Sequence, residues 1–258
     1  MIAALNSTLS RCAIALGLIL VCVSAAQAQS SESSAHRDPS ALHFYLITVD
    51  VGANVWDNFG HSALRVVDEL NKTDVVYNWG VFEVSGGPAA FATDFFLDEV
   101  RYRLATQSMP RELDNYRAQR RTVWQDKLNL TAAQKQRLLV RLRWNLVSDN
   151  RYYDYHYFFD NCTTRIRDYL NEALDGRIEA DVQGASGRLF RDEIRQHYES
   201  IPPISVALDV VMNSNVDREM SNWESLFLPI NLRSRLAALE SDVSRGGEPL
   251  MLLERSDP

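Results

Sequence analysis

The sequence predicts an α+β fold in which an antiparallel sheet packs against helices. In the first half of the chain, short segments rich in Val, Tyr, Leu and Phe alternate with turn-like sequence, as is typical of strands. In the second half, apolar residues recur every three or four positions, as is typical of amphipathic helices. Strands followed by helices indicate an α+β domain. With 258 residues, 46% of them hydrophobic, the chain can bury a sizeable core.

The beginning of the chain is predicted to be an export signal, residues 1–28. An apolar run at residues 12–23 precedes Ala26 and Ala28, which are the small residues typical of a signal cleavage site. The Ser-rich, polar residues 29–41 are expected to form a flexible leader. We therefore expect the mature protein in the periplasm, and no later stretch of the sequence is apolar enough to span a membrane.

The folded domain is predicted to cover residues 42–240, with a polar tail at residues 241–258. Its β-rich part contains strands at residues 43–49, 62–68, 74–82 and 100–106, with a break at 86–88 and a short helix at 89–97. The helical part contains a helix that starts at the capping box of Thr131 and Gln134, and further helices at 162–174, 189–200 and 232–239. Gly176 is predicted to end the second of these helices, and residues 227–229 (Phe-Leu-Pro) interrupt the chain before the last one.

The charge and the missing motifs argue against several function classes. A net charge of −7 is unusual for a dedicated nucleic-acid-binding protein. The sequence lacks the His-Glu-x-x-His and paired Cys-x-x-Cys patterns of metal sites, and it lacks phosphate-loop and dinucleotide-binding motifs. We therefore expect no nucleic-acid partner, no metal and no organic cofactor.

Cys162 is the candidate nucleophile. Once residues 1–28 are removed, it is the single cysteine of the chain. Asp160 or Asn161 can cap the helix that follows, which places Cys162 in the first helical turn. Backbone N–H groups and the helix dipole stabilise a thiolate at that position and lower its pKa. The alternative is that Cys162 is a small buried residue beside the apolar face that contains Ile166.

His61 is the candidate base. It follows a turn-like segment in which Gly60 allows a close backbone approach, and it opens a strand, so that it can face a helix start across a cleft. The alternative is a surface histidine beside a turn. Asn78, in an otherwise apolar strand, is the candidate for orienting the imidazole. The alternative for Asn78 is a residue at a bulge beside Gly80.

The expected oxyanion donors are the backbone N–H of Cys162 and one side-chain donor that the sequence does not identify. Arg165, Asn161 and Tyr157 are expected to contact the substrate. Arg165 lies one turn after Cys162, where it either binds an anionic group of the substrate or pairs with Asp168.

Residues 42–239 resemble a known family. The similarity is carried by residues 58–65 (NFGHSALR), 77–82 (YNWGVF), 161–168 (NCTTRIRD) and 227–229 (FLP). These segments are similar to the amino-terminal periplasmic domain of the bacterial lipoprotein N-acyltransferase Lnb. Their His-before-Cys order also resembles permuted papain-like proteins, which include lecithin retinol acyltransferase and relatives of the NlpC-type cell-wall peptidases. The resemblance implies a permuted papain-like arrangement and an acyl-transfer centre, with Cys162 as nucleophile and His61 as base.

The substrate is not implied by the resemblance, because Lnb proteins continue into membrane-spanning segments that this sequence does not contain. The leading hypothesis is a periplasmic acyltransferase or hydrolase that forms an acyl-thioester with a lipid or lipoprotein acyl group. The alternatives are a cell-wall peptidase with the same Cys–His pair, or a non-catalytic binding module of the envelope. Between Arg101 and Arg151, twelve basic residues accompany four acidic ones. This region is expected either to contact anionic phospholipids or to pair with the acidic remainder of the domain.

Overall fold

The computed structural model describes residues 39–54, 57–82, 100–199, 201–202, 205–206, 216–243, 247–253 and 255–256. Its strands are β1 (Leu42–Val49), β2 (His61–Asp68), β3 (Thr73–Val81), β4 (Tyr102–Ser108), β5 (Val123–Leu128), β6 (Tyr152–Tyr153), β7 (Ala185–Leu189), β8 (Glu219–Ser221), β9 (Met251–Leu252) and β10 (Arg255–Ser256). A 3₁₀ turn covers Pro39–Ala41, and the α-helices are α1 (Met109–Ala118), α2 (Ala132–Leu146), α3 (Ser148–Arg151), α4 (Cys162–Ala173), α5 (Arg177–Asp181), α6 (Phe190–His197), α7 (Asn222–Ser225) and α8 (Pro229–Ala238).

One antiparallel sheet organises the domain. Its strands follow the order β10–β5–β1–β2–β3–β4–β6, and β9 also pairs with β5, while β7 and β8 form a separate two-stranded sheet. The prediction of an antiparallel sheet packed on helices is therefore confirmed. Strands that follow one another along the chain are also neighbours in space from β1 to β4, and a short turn connects β2 to β3.

Helices cover both faces of the central strands. Leu42, Phe44 and Leu46 of β1 belong to a large core that also contains apolar residues of α2, α4 and α8. Ile47 and Val49 belong to a smaller core with residues of α1. This division follows from the alternation of side chains along a strand, which sends successive residues to opposite faces. The sheet therefore lies between α1 on one face and α2, α4 and α8 on the other.

The four predicted strands are all present, with ends that differ from the predicted positions by up to two residues. Strand β5 was not predicted, because Gln125, Asp126 and Lys127 interrupt its apolar pattern. Asp126 nevertheless lies fully buried, since its carboxylate accepts two hydrogen bonds from the Arg233 guanidinium of α8, at 2.6 and 3.0 Å. A buried carboxylate requires such a partner, and no local pattern in the sequence reveals one 107 residues away.

In the aromatic run at residues 152–159, only Tyr152–Tyr153 forms a strand. The chain then turns, and the backbones of His156 and Asp160 exchange two hydrogen bonds. The expected break at 86–88, the expected helix at 89–97, the signal segment and residues 29–38 of the leader lie outside the described residues.

The predicted helix starts agree well with the structure. The side chain of Thr131 accepts a hydrogen bond from the N–H of Gln134, and the Gln134 side chain returns one to Thr131, as a capping box requires. Helix α4 begins at Cys162, and Gly176 adopts the left-handed backbone (φ +82°) that follows its end. Helix α6 is shorter than predicted, and α8 begins earlier, at Pro229 in its first turn.

The end of the chain, expected to be a polar tail, contributes two short strands. Backbone pairing joins β9 and β10 to β5, and Leu250 and Met251 are buried in the large core. Within the described residues, none of the helices is long and apolar enough to cross a bilayer.

Asn145 connects three elements inside the large core. Its carbonyl oxygen accepts hydrogen bonds from the indole N–H of Trp79 in β3 and from the hydroxyl of Tyr169 in α4, each at 2.8 Å. Its amide donates to the carbonyl of Asn150 at 2.6 Å. Because Asn145 is fully buried, water cannot take its place as the partner of Trp79 and Tyr169.

We predict that Asn145→Ala lowers the free energy of unfolding by about 2–4 kcal/mol, because the Trp79 and Tyr169 donors lose their shared acceptor. Urea denaturation followed by fluorescence measures this change. The control is Gln136→Ala on the exposed side of the same helix, which should change stability by less than about 0.5 kcal/mol. Equal effects of the two substitutions would contradict the role of Asn145.

Candidate active site

Two neighbouring strands bring His61 and Asn78 together. The register of β2 and β3 pairs Ala63 with Asn78, and His61 lies two residues before Ala63 on the same face of β2. The Nε2 atom of His61 lies 2.9 Å from Oδ1 of Asn78. Gly60 precedes His61 with φ +77°, and a Cβ atom there would lie 2.5 Å from the carbonyl oxygen of Val49. Only glycine therefore fits the turn that delivers His61 to the strand.

Asn161 places Cys162 in the first turn of α4. The side-chain oxygen of Asn161 accepts hydrogen bonds from the N–H groups of Thr163 and Thr164, both at 2.8 Å. Its amide donates to the carbonyls of Tyr157 and Phe227, at 3.0 and 3.1 Å. Between the two sequence alternatives, the cap is therefore Asn161. The N–H of Cys162 itself has no hydrogen-bond partner among the described residues.

The start of α4 meets the start of β2. The hydroxyl of Thr163 donates to the hydroxyl of Ser62 at 3.1 Å, and the backbone N–H of Ser62 lies near enough to the Cys162 sulfur to lower the pKa of the thiol. The pairing of β2 with β3 ends at Ala63 and Asn78, so Ser62 lies just beyond this ladder. This arrangement brings the thiol and the His61 imidazole close enough for each to shift the pKa of the other.

The two groups change each other's ionisation. Burial alone would raise the pKa of the Cys162 thiol, but the His61 charge and hydrogen bonds from His61, Ser62 and Thr163 lower it from 9.0 to about 7. Burial alone would lower the pKa of His61, but the Cys162 charge and hydrogen bonds with Cys162 and Asn78 raise it from 6.5 to about 9. Between these two values the pair is a thiolate beside an imidazolium, which is the reactive form of a cysteine nucleophile.

A buried carboxylate stands behind Asn78. The amide of Asn78 donates to Oε2 of Glu112 in α1 at 3.1 Å. The Gln107 amide and the Tyr116 hydroxyl also donate to Glu112. Sequence analysis did not identify this residue, because it lies on an amphipathic helix among exposed charged residues. The sequence signal is that Glu112 lies three residues after Met109 and four before Tyr116. This spacing puts its carboxylate on the buried face of α1.

The charge of Cys162 affects the ionisation of nearby phenol groups. Burial first, and then the Cys162 charge, raise the pKa of Tyr153 and Tyr155 well above the ordinary value. The ring of Tyr155 stacks on Tyr102, with centroids 4.4 Å apart. The buried hydroxyl of Tyr153 has no hydrogen-bond partner of normal geometry in the described part of the chain, although the Gly80 N–H is near enough to influence its pKa. The Tyr153 hydroxyl is thus an O–H donor without an acceptor of normal geometry among the described residues, within electrostatic range of Cys162.

The residues predicted to contact substrate have identified partners. Arg165 forms an ion pair with Asp160 (Nη2 to Oδ2, 2.6 Å), and its guanidinium stacks 4.1 Å from the Tyr153 ring centroid. Asp168, the partner considered from sequence, pairs with Arg167 instead. Their contact with substrate stays a prediction.

Tyr157 and Asn161 are also engaged in the fold. The Tyr157 hydroxyl lies 2.7 Å from the hydroxyl of Tyr198, and both ends of the Asn161 amide serve the helix cap. The structure therefore brings Cys162, His61 and Asn78 together, with Asn161 and Tyr157 supporting the helix start. In the described ranges, no cluster of three or more His, Cys, Asp or Glu side chains has the arrangement of a metal site.

Comparison with known protein families matches residues 29–199 to the Lnb N-terminal periplasmic domain. The chain belongs to this family. The match covers the segments of His61, Asn78 and Cys162 and confirms the family predicted from sequence. No curated protein and no solved structure matches the chain. A periplasmic location fits this Lnb-type domain.

We predict that the thiol of Cys162 reacts with iodoacetamide with a pH midpoint near its pKa of about 7. In His61→Ala the thiol stays buried but loses the imidazolium, so its midpoint should rise to 9 or above and the rate at pH 7 should fall about 50-fold. Alkylation rates measured from pH 5 to 10 test this. His43→Ala, another strand histidine, which contacts Glu69, is the control and should match the parent. Coinciding curves for the parent and His61→Ala would show that the two groups are uncoupled.

Proposed function

We propose that this chain is a cysteine-dependent acyltransferase or hydrolase that acts through an acyl-thioester on Cys162. The observation that carries the proposal is the buried thiol whose pKa is lowered by the neighbouring His61 imidazole, which in turn is held by Asn78 at 2.9 Å. A structural cysteine has no need of a basic partner that lowers its pKa. The unpartnered N–H at the first turn of α4 adds a donor where an oxyanion would form.

The first half of the reaction forms the acyl-enzyme. The Cys162 thiolate attacks the carbonyl carbon of an ester or amide, and the carbonyl π electrons move onto oxygen. As the tetrahedral intermediate collapses, the bond to the leaving group breaks, and the His61 imidazolium donates its proton to the departing alcohol or amine. The products are a thioester on Cys162, a neutral imidazole and a free leaving group.

The second half regenerates the thiolate. An amine, alcohol or water molecule gives a proton to the neutral His61 as it attacks the thioester carbonyl. The carbon–sulfur bond then breaks, and the electron pair returns to sulfur beside the re-formed imidazolium. An amine or alcohol acceptor makes the reaction a transfer, and water makes it a hydrolysis.

Two donors can stabilise the oxyanion of both intermediates. The first is the N–H of Cys162, which the Asn161 cap leaves without a partner among the described residues. We assign the second role to the Tyr153 hydroxyl, which is buried, lacks a partner of normal geometry and lies near enough to the sulfur for the thiolate to affect its pKa. Neither donor has to break an existing hydrogen bond to reach the oxyanion.

The substrate class rests on the family and on the surroundings of the sulfur. The name of the Lnb family points to the bacterial envelope, and we propose an acyl group carried by a lipid or a lipoprotein. The aromatic rings of Tyr153, Tyr155 and Tyr157 near the thiol suit a hydrocarbon chain. The order of a histidine strand before a cysteine helix also supports a permuted papain-like arrangement, which we propose for this fold.

The expected contact of residues 101–151 with anionic phospholipid is part of this proposal. Some of its charge is neutralised within the domain, since Arg137 and Arg141 pair with Asp175 and Glu172. The outer face of α2 adds exposed apolar side chains beside these arginines, among them Val140 and Trp144. Tryptophan and arginine together favour the interfacial region of a membrane.

We predict that the parent protein accumulates an acyl adduct on Cys162 when it is incubated with vesicles that contain labelled phospholipid. Intact-mass spectrometry should show an added acyl group, and neutral hydroxylamine should remove it because thioesters are labile to this nucleophile. Cys162→Ala is the control and should carry no adduct. Anionic and zwitterionic vesicles compared side by side test the proposed membrane contact, since only the anionic surface attracts the basic region.

A parallel incubation with cell-wall muropeptides distinguishes the alternatives. Cleavage of the muropeptides without any lipid-derived adduct would replace the proposal with a peptidase. The absence of both reactions, together with slow alkylation of the thiol at pH 7, would indicate a non-catalytic binding module.

We predict that Tyr153→Phe slows formation of the acyl adduct about 100-fold, because one of two oxyanion donors is lost. The alkylation pH midpoint should stay unchanged, since alkylation creates no oxyanion. Tyr152→Phe, at the adjacent exposed position, is the control for loss of a phenol hydroxyl. An unchanged acylation rate in Tyr153→Phe would remove this residue from the mechanism.

A further inference from the structure

Glu112 is a buried carboxylate with a full set of donors. Its residue is 2% exposed, and it lies on α1 against the face of the sheet that carries His61 and Asn78. It accepts hydrogen bonds from the amides of Asn78 and Gln107 and from the hydroxyl of Tyr116. Three donors on one carboxylate offset the cost of removing it from water. Its position directly behind Asn78 connects it to the site through a single side chain.

This contact determines the direction of the hydrogen bonds in the site. An ionised carboxylate can only accept hydrogen bonds, so the NH₂ end of Asn78 must face Glu112, at 3.1 Å. The carbonyl end of Asn78 then faces His61, where Oδ1 lies 2.9 Å from Nε2. An amide oxygen can only accept, so Nε2 must carry a proton. The proton exchanged with the sulfur of Cys162 is therefore the one on Nδ1.

We propose that Glu112 is a positioning residue that fixes the orientation of the Asn78 amide and thereby holds the His61 ring with its proton on Nε2 and Nδ1 free for Cys162. This inference rests on the proposed function, because the tautomer matters only if His61 exchanges a proton with the thiol. An amide alone can present either end to an imidazole. The Glu112 carboxylate binds the NH₂ end of Asn78 and therefore fixes the amide in one orientation.

The negative charge of Glu112 favours a protonated His61, just as its hydrogen bond to Asn78 favours a proton on Nε2 of the ring. Together with the larger contributions of Cys162 and Asn78, it raises the pKa of His61. Among the described residues, the groups that hydrogen-bond to Glu112 are neutral: Asn78 from β3, Gln107 from β4 and Tyr116 from α1. A cation, Arg121, lies near Tyr116, with its guanidinium 5.3 Å from the ring centroid, and it pairs with Asp57. Glu112 thus places a negative charge on the side of His61 that is away from the thiol.

The first experiment changes Glu112 to glutamine, which keeps the size but can present either a donor or an acceptor. We expect the alkylation midpoint of Cys162 to rise by about half a pH unit or more, because the imidazolium loses a stabilising charge. Formation of the acyl adduct should slow about tenfold or more, with the substrate concentration for half-maximal rate unchanged. Glu112→Asp restores the carboxylate and should recover part of both properties.

A matched control uses another buried glutamate. Glu193 lies in α6, is 6% exposed and pairs with Arg188, so Glu193→Gln removes a buried charge away from His61. It should leave the alkylation midpoint unchanged even if it lowers stability. An unchanged midpoint and rate in Glu112→Gln, with a large effect of His61→Ala, would overturn the role of Glu112 alone. No effect of His61→Ala would overturn the proposed function itself.

A second measurement does not require a Glu112 variant to fold. Ring ¹⁵N chemical shifts of His61 distinguish a proton on Nε2 from one on Nδ1 in the neutral imidazole. In Cys162→Ser, measured above the pKa of His61, we expect the proton on Nε2. A proton on Nδ1 would overturn the inference, because Asn78 would then present its NH₂ group to the ring.

Discussion

The cap that Asn161 forms on α4 is the interaction on which the site depends most. Its oxygen holds the N–H groups of Thr163 and Thr164, and its NH₂ group holds two backbone carbonyls from separate segments. These bonds determine where the helix begins, and they leave the N–H of Cys162 without a partner among the described residues. They also bring Thr163 to Ser62 of β2, so the position of the sulfur relative to the sheet follows from one asparagine.

Much of the central sheet and the start of α4 can be predicted from sequence, because local chemistry determines them. Alternating apolar residues indicate strands β1 to β4, and a capping residue before an amphipathic segment indicates the helix start. The pairing of Cys162 with His61 was implied by the family resemblance. The local signals place each residue at the boundary of its own element and leave the distance between them open.

What sequence analysis missed depends on partners far along the chain. Asp126 is buried because Arg233 reaches it, and Glu112 is buried because it receives donors from β3, β4 and its own helix. Each of these acids looks like a surface residue in its own segment. Arg165 shows the reverse case, since a cation near the nucleophile suggests a ligand site, whereas the turn at residues 156–160 supplies Asp160 as its partner.

The carbonyl of Phe227 that receives the Asn161 amide lies 28 residues beyond the family match, which ends at residue 199. Arg233, β9 and β10 lie farther still, and all three attach to β5. The stretch that can be recognised as a domain is therefore shorter than the stretch that holds Cys162 in place. A chain cut at the family boundary would retain Cys162, His61 and Asn78 and still lose one of the bonds that fix the helix cap. For this protein, the part of the chain that builds the candidate site is longer than the part that the family match covers.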